Sequence, residues 1–255
     1  MDNLVFLHGF LGSSRNWGPI IHRLQEKSSS LRTHSFDLLG HGAKVEASFA
    51  ESFDLGMMAQ DLQADLEGLD SFHLVCHSFA VFPFLKSYEK ISSKIKSIIL
   101  VDTAPLITLE AFEDISNIFT KLQKKYPSRQ ELKEDVARHY ASRPSLMLFL
   151  MTQFRRNNQD LQAWKYKLSN MQRVLNEAYK NQWWSLWQNI SEPIYLMRGQ
   201  ESTYFSTKKL EELVANSKKL NIKYEEITGA GHWVHQDVPD LFVDKIIAYI
   251  DSLEL

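Results

Sequence analysis

Short apolar runs alternate with stretches of helical periodicity along most of this chain, and that alternation restricts the fold more than any other feature. The runs cover residues 4–7, 31–36, 72–76, 95–101, 194–197 and 222–227. Between them, residues 17–27, 54–69, 79–88, 207–217 and 239–253 place apolar side chains at helical spacing. In the second of these, Leu55, Met58, Leu62, Leu66 and Leu69 form a single stripe. Strands alternating with helices of this length predict an α/β chain with a mostly parallel sheet and helices on both faces. Groups that carry chemistry then belong at the carboxyl ends of the strands.

The alternation fails between Leu106 and Ser191, where the chain is polar, helical in pattern and rich in Lys, Arg, Asn and Gln. Trp164, Trp183, Trp184 and Trp187 gather toward the end of that stretch. Residues 106–191 read as a helical cap inserted after the strand at 95–101, which divides the core into residues 1–105 and 192–255. A string of surface helices with no role over a site is the alternative. The position of the stretch within the alternation favours the cap.

A chain of 255 residues can bury a large core and still carry such an insertion. Its 29 Lys and Arg are balanced by 31 Asp and Glu, so no basic surplus points to a nucleic-acid partner. No apolar run approaches the length needed to span a membrane. The one cysteine, Cys76, has no partner for an intramolecular disulfide, which fits a reducing compartment. The first residues enter a strand without a basic segment or cleavage site before it. The expected location is the cytoplasm.

The segment Leu74-Val75-Cys76-His77-Ser78-Phe79-Ala80 reads as a buried strand that breaks on a serine and restarts as a helix. A serine in such a turn projects its hydroxyl clear of the sheet edge, which makes Ser78 the candidate nucleophile. A plain helix N-cap is the other role such a serine takes. His232 is the candidate base, because Gly229-Ala230-Gly231 forms a flexible loop able to present an imidazole to that edge. His235 lies toward the final helix and reads as a packing or capping residue. His8 and His77 read as buried structural histidines, and His41, in Gly40-His41-Gly42, as a loop residue near the pocket rim. The histidines show no metal-ligand spacing, so no metal is expected. Backbone N–H groups of Phe10, after His8-Gly9, and of Phe79, after the serine, are the candidate oxyanion donors. Their side chains would make the acyl pocket apolar. Two acids compete to orient the histidine: Asp102, at the end of the run 95–101, and Glu201, in Gly199-Gln200-Glu201-Ser202. Asp102 stands at the expected catalytic edge and is preferred.

With Phe6-Leu7-His8-Gly9-Phe10-Leu11-Gly12-Ser13, Val101-Asp102-Thr103-Ala104-Pro105, Arg198-Gly199-Gln200-Glu201-Ser202-Thr203-Tyr204 and Gly229-Ala230-Gly231-His232-Trp233-Val234-His235 assembled, the chain resembles the α/β-hydrolase superfamily from end to end. Within it, the sequence is similar to bacterial acyl-ester and acyl-CoA thioesterases akin to mitochondrial abhydrolase-domain proteins. The resemblance implies a small helical cap after the sixth-strand position and no cofactor. It also places the acid after the sixth strand, with serine at the seventh-strand position where most of these folds keep an acid. That again selects Asp102. Strands that family members carry before the His-Gly strand have no room here, so a sheet of about six strands is expected, with residues 4–7 nearer an edge. The family's elbow, Gly-His-Ser-Met-Gly-Gly, becomes Cys76-His77-Ser78-Phe79-Ala80-Val81, which loses glycines at a turn where strand and helix backbones approach closely.

These residues lead to the expectation of a serine carboxylesterase or acyl thioesterase acting on a small-molecule acyl ester or thioester. Phe10, Phe79, Tyr204 and Trp233 are expected to line the pocket, with Trp183, Trp184 or Trp187 of the cap nearby. Lys165, Lys167, Arg155 and Arg156 of the cap offer an anionic leaving group a partner, although clustered surface cations are ordinarily just solvated. A menaquinone-pathway lyase on the same fold and a non-catalytic ligand-binding homologue are the alternatives. Oligomeric state is not legible in the sequence.

Overall fold

The computed structural model describes residues 1–204 and 206–253. Strand β1 (Asp2–Leu7) leads to helix α1 (Gly18–Lys27), β2 (Leu31–Phe36), α2 (Leu55–Asp65), β3 (Phe72–His77), α3 (Val81–Ile91) and β4 (Ile95–Val101). There follow α4 (Leu109–Lys121), β5 (Lys125–Tyr126), α5 (Arg129–Tyr140), α6 (Pro144–Met151), β6 (Phe154–Arg156), β7 (Gln162–Trp164), α7 (Leu168–Lys180) and α8 (Trp184–Trp187). The chain then returns through β8 (Ile194–Gly199), α9 (Thr207–Asn216), β9 (Ile222–Ile227), α10 (Val234–Asp237) and α11 (Pro239–Asp251).

The six strands expected from the apolar runs form one sheet in the order β2-β1-β3-β4-β8-β9, with every neighbouring pair parallel. The interior strands are buried on both faces, as in Leu4 to Leu7, where no side chain retains exposed surface. The edge strands β2 and β9 carry Arg32, Thr33, His34, Lys223, Glu225 and Glu226, which suits an edge that meets water. Because side chains alternate along a strand, Leu4 and Phe6 pack with α1 and α11 around Trp17, Ile20, Phe242 and Ile246, while Val5 and Leu7 join the larger cluster on the other face. Helix α2 is capped by Asp54, whose carboxylate accepts from the Met57 N–H at 2.8 Å. It ends at Asp65, short of the expected residue 69, as Gly68 is a poor residue for a helix interior.

Register sets the site. Leu7 lies opposite Cys76, Cys76 opposite Leu100 and Val101 opposite Met197. The strands therefore end level, and His8, Ser78 and Asp102 emerge side by side at one edge of the sheet.

Residues 106–191, between β4 and β8, carry helices α4 to α8 as the polar helical pattern suggested, and also a small antiparallel sheet in the order β5-β7-β6. The small sheet is an addition to the expected helices. Strands of two or three residues are too short to show a period of two, so they leave no readable signature. The insertion is tied to the core: Tyr166 donates its hydroxyl to the Leu11 carbonyl at 2.8 Å, and Asn170 donates its amide to the Ser48 and Ala50 carbonyls.

Candidate active site

Strand β3 ends at His77 and the chain turns on Ser78, whose φ of 54° lies in the left-handed region. A single 3-10 turn, Ser78–Ala80, then feeds α3. Such a conformation costs a non-glycine residue about 1–2 kcal/mol, and the surroundings hold it: Thr103 donates its hydroxyl to the Ser78 carbonyl at 2.7 Å. Cys76, Ala80 and Val81, which replace the elbow glycines, are fully buried. The close approach is accommodated across the turn by Gly9. A Cβ on Gly9 would stand 2.9 Å from His77 Nδ1 and 3.1 Å from Ser78 Cβ.

Asp102 follows β4 directly, also with a left-handed φ of 46°, and is buried. Its Oδ1 accepts from the Gly199 N–H at 3.0 Å, and its Oδ2 accepts from the Ser202 hydroxyl and from His232 Nδ1, both at 2.6 Å. A proton on Nδ1 leaves Nε2 as an acceptor, and Ser78 Oγ lies 3.0 Å from it. The imidazole is therefore held in the tautomer that can take a proton from the serine. Three further contacts fix the histidine. His77 Nε2 donates to its backbone carbonyl at 3.0 Å. The Asp237 carboxylate accepts from the Gly231 N–H before it at 2.8 Å. The Tyr204 ring lies against the imidazole at 4.1 Å between centroids. Arg143 Nη2 donates to the Tyr204 hydroxyl at 3.5 Å, while its Nη1 meets both Asp114 oxygens at 2.7 and 2.8 Å. Glu201, the rejected acid, is exposed.

The loop after β1 is shaped by His8. Its Nδ1 donates to the Gly9 carbonyl at 2.8 Å and its Nε2 accepts from the Leu38 N–H at 3.0 Å. Burial lowers its pKa to about 4, so the ring is a neutral brace. Phe10 then faces Phe79, with ring centroids 4.9 Å apart. His41 is not at the rim. Gly40 and Gly42, both with positive φ, turn the loop inward, and the ring is buried among His8, Phe10 and Tyr166. Burial lowers its pKa to about 3, as it does for His235, which packs on Trp17. Among the described residues no cluster of His, Cys, Asp or Glu has the makings of a metal site.

Ser78 opens onto two narrow cavities. One, of about 50 Å3, runs from Gly9 and Gly12 past Leu146, Phe149 and Trp233. The other, of about 40 Å3, runs along Phe79, Phe82, Leu106, Ile107 and Leu175. Phe10, Ile115, Tyr204 and His232 border both. Phe10, Phe79, Tyr204 and Trp233 are thus all placed at the cavities, but the expected tryptophans are not. Trp183 donates its indole N–H to the Ala178 carbonyl and packs behind Phe82, Trp187 donates to Ser217 Oγ, and Trp184 is partly exposed. Their size suits them to fastening α8 to the core. The insertion lines the cavities instead with aliphatic and phenyl groups of α4, α6 and α7. The spacing of Ile107, Ala111, Ile115 and Ile118 was a readable signal for that stripe; the tertiary contacts of Leu146, Phe149 and Leu175 had none. Of the cations of the insertion, Arg155 pairs with Glu46 and Arg156 with Asp160, both at the surface, and Lys167 reaches the Ala50 carbonyl.

Residues 4–245 match the model of the alpha/beta hydrolase family. The sn-1-specific diacylglycerol lipase ABHD11 of Danio rerio is 25% identical over 255 residues, spanning 97% of this chain and 78% of that protein. Esterase YbfF of Escherichia coli is 21% identical over 253 residues, spanning 98% of this chain and 93% of its own length. A solved marine microorganism esterase superposes with a TM-score of 0.76 at 22% identity, covering 97% of this chain and 94% of that one, a likeness that shows the fold.

Proposed function

The chain belongs to the alpha/beta hydrolase family, and from that premise we propose that it is a serine carboxylesterase or acyl thioesterase working through an acyl-enzyme on small to medium acyl groups. The observation that carries the reading is the unbroken line of hydrogen bonds from Ser78 Oγ through the His232 ring to Asp102 Oδ2, at 3.0 and 2.6 Å. In the reaction Ser78 attacks the acyl carbonyl as His232 Nε2 takes its proton. Asp102 holds the tautomer and stabilises the imidazolium that forms. Backbone N–H groups of Phe10 and Phe79 meet the oxyanion, each such donor being worth about 10²–10³ in rate. His232 then protonates the leaving group, and water repeats the sequence to release the acid.

The esterase and lipase names of the relatives agree with this chemistry. The narrowness of the cavities beside Ser78, about 50 and 40 Å3, favours small to medium acyl groups. Residues 106–191 act as the cap that covers the serine and excludes water from the reacting atoms.

The test is hydrolysis of p-nitrophenyl esters from acetate to octanoate by the wild type and Ser78→Ala, with fluorophosphonate labelling of both. Activity and labelling that vanish together in Ser78→Ala are expected. A wild type that neither labels nor exceeds the variant on any chain length would leave a binding protein on a hydrolase fold.

A further inference from the structure

Beside the serine lies a larger space. A cleft of about 630 Å3 opens between the loop after β1 and the β6–β7 end of the insertion, lined by Arg15, Arg155 and Lys165 among others. Leu11, Gly12, Asn16 and Phe149 border both this cleft and the cavity at Ser78, so the two spaces adjoin. The side along Phe79, Phe82 and Leu175 does not share that boundary.

The cleft is cationic by construction. Two acids stand by it, and both are engaged. Asp37 accepts from the Ser14 and Ala43 N–H groups at 2.6 and 2.7 Å, and Glu46 pairs with Arg155. Among the described residues, neither Arg15 nor Lys165 has a carboxylate within ion-pair distance. Lys165 is half-buried, and its pKa is lowered by burial and by the fields of Arg15, Arg155 and Arg129. A half-buried ammonium that lines this cleft with Arg15 and Arg155, and has no carboxylate within ion-pair distance, gains more from an incoming anion than a solvated surface lysine does. The cations line a concavity that leads to Ser78, which suits a small ligand better than a flat anionic surface.

We propose that this cleft is an anion subsite, receiving a phosphate carried by the leaving group while the acyl chain occupies the apolar side along Phe79 and Phe82. The proposal rests on the esterase reading for its orientation, and the phosphate source is either a short alcohol such as glycerol phosphate or a longer thiol such as phosphopantetheine.

The experiment compares two matched pairs of butyryl substrates, 1-butyrylglycerol with and without a 3-phosphate, and S-butyrylpantetheine with and without a 4′-phosphate. The phosphorylated twin of one pair should show kcat/KM about tenfold above its neutral twin, and that advantage should shrink with added salt. Lys165→Glu and, on the exposed side, Arg15→Gln should remove the advantage through KM and leave the neutral twin unchanged. The pair that responds identifies the leaving group. Equal kcat/KM within both pairs for the wild type would overturn the subsite, as would Lys165→Glu and Arg15→Gln slowing both twins alike. Calorimetric titration of glycerol 3-phosphate and phosphopantetheine into the wild type separates the two readings. Binding lost in Lys165→Glu, with no hydrolysis of any substrate, keeps the subsite and rejects the esterase. Hydrolysis of neutral esters without binding of either phosphate rejects the subsite alone.

Discussion

Ser202 donates its hydroxyl to the same Asp102 oxygen that accepts from His232, each over 2.6 Å. The Gly199 N–H takes the other oxygen. A carboxylate taken out of water is costly unless its lone pairs are met, and here three donors meet them and fix its plane. The serine comes from the loop after β8, so that loop supports the Asp102 carboxylate from the neighbouring strand end.

Asp102→Asn should cut kcat by about 10⁴, because an amide in that place favours the wrong imidazole tautomer. Ser202→Ala removes one donor of three and should cost about tenfold in kcat, as loss of an outer hydrogen bond usually does. Steady-state kinetics on one ester checks both. A Ser202→Ala enzyme as slow as Asp102→Asn, or as fast as the wild type, contradicts this division.

Gly9→Ala should be nearly inactive while still folding. The new methyl would press on His77 Nδ1 at 2.9 Å and Ser78 Cβ at 3.1 Å, displacing the elbow and the Phe10 amide together. A displacement of about 1 Å there costs about 10²-fold. Ala80→Gly, on the elbow itself, should change kcat little. The paired kinetics and circular dichroism spectra decide whether space is limiting at residue 9 or at residue 80.

The juxtaposition of Ser78, His232 and Asp102 was legible because each follows a strand with a local signature: Ser78 after β3, Asp102 after β4 and His232 after a glycine loop. Ser202 was visible only as the absence of an acid, since no sequence pattern says whose oxygen a hydroxyl will find. His41 misled because two glycines read as an exposed loop, whereas their positive φ angles fold the ring inward. The tryptophans misled for a different reason. Their bulk predicts burial, and which of several apolar surfaces receives them is decided by packing between distant segments.

Tyr204→Ala should lower kcat about 10–100-fold by freeing the His232 ring to leave its position against Asp102. Tyr204→Phe keeps the stacked ring and loses only the long contact to Arg143, so it should stay within about threefold of the wild type. Turnover of the two variants, with Ser78 labelling as a check on the fold, tests the claim. Equal losses would show that the hydroxyl, and not the ring, matters.

Stability should fall with acid well before the carboxylates titrate. His8, His41 and His235 are held neutral, with pKa values near 4, 3 and 3. In the unfolded chain they bind protons from about pH 6.5 downward. Between that value and about pH 4 the unfolded state therefore holds more protons than the folded one. Each histidine then lowers stability as pH falls, by about 1 kcal/mol per unit. Above about pH 7 they contribute no slope. Urea midpoints at about pH 7 and pH 5 should differ accordingly, and equal midpoints would refute the account.

Cys76 lies in the middle of the sheet, opposite Leu7 on one side and Leu100 on the other, with no exposed surface. Burial also pushes its thiol pKa up, so the folded protein presents neither access nor thiolate to an electrophile. A thiol reagent can react only when β3 parts from its neighbours. As the chain's one cysteine, it makes slow alkylation in native buffer a clock for the opening of the sheet centre, two residues from Ser78 and free of background from any other site.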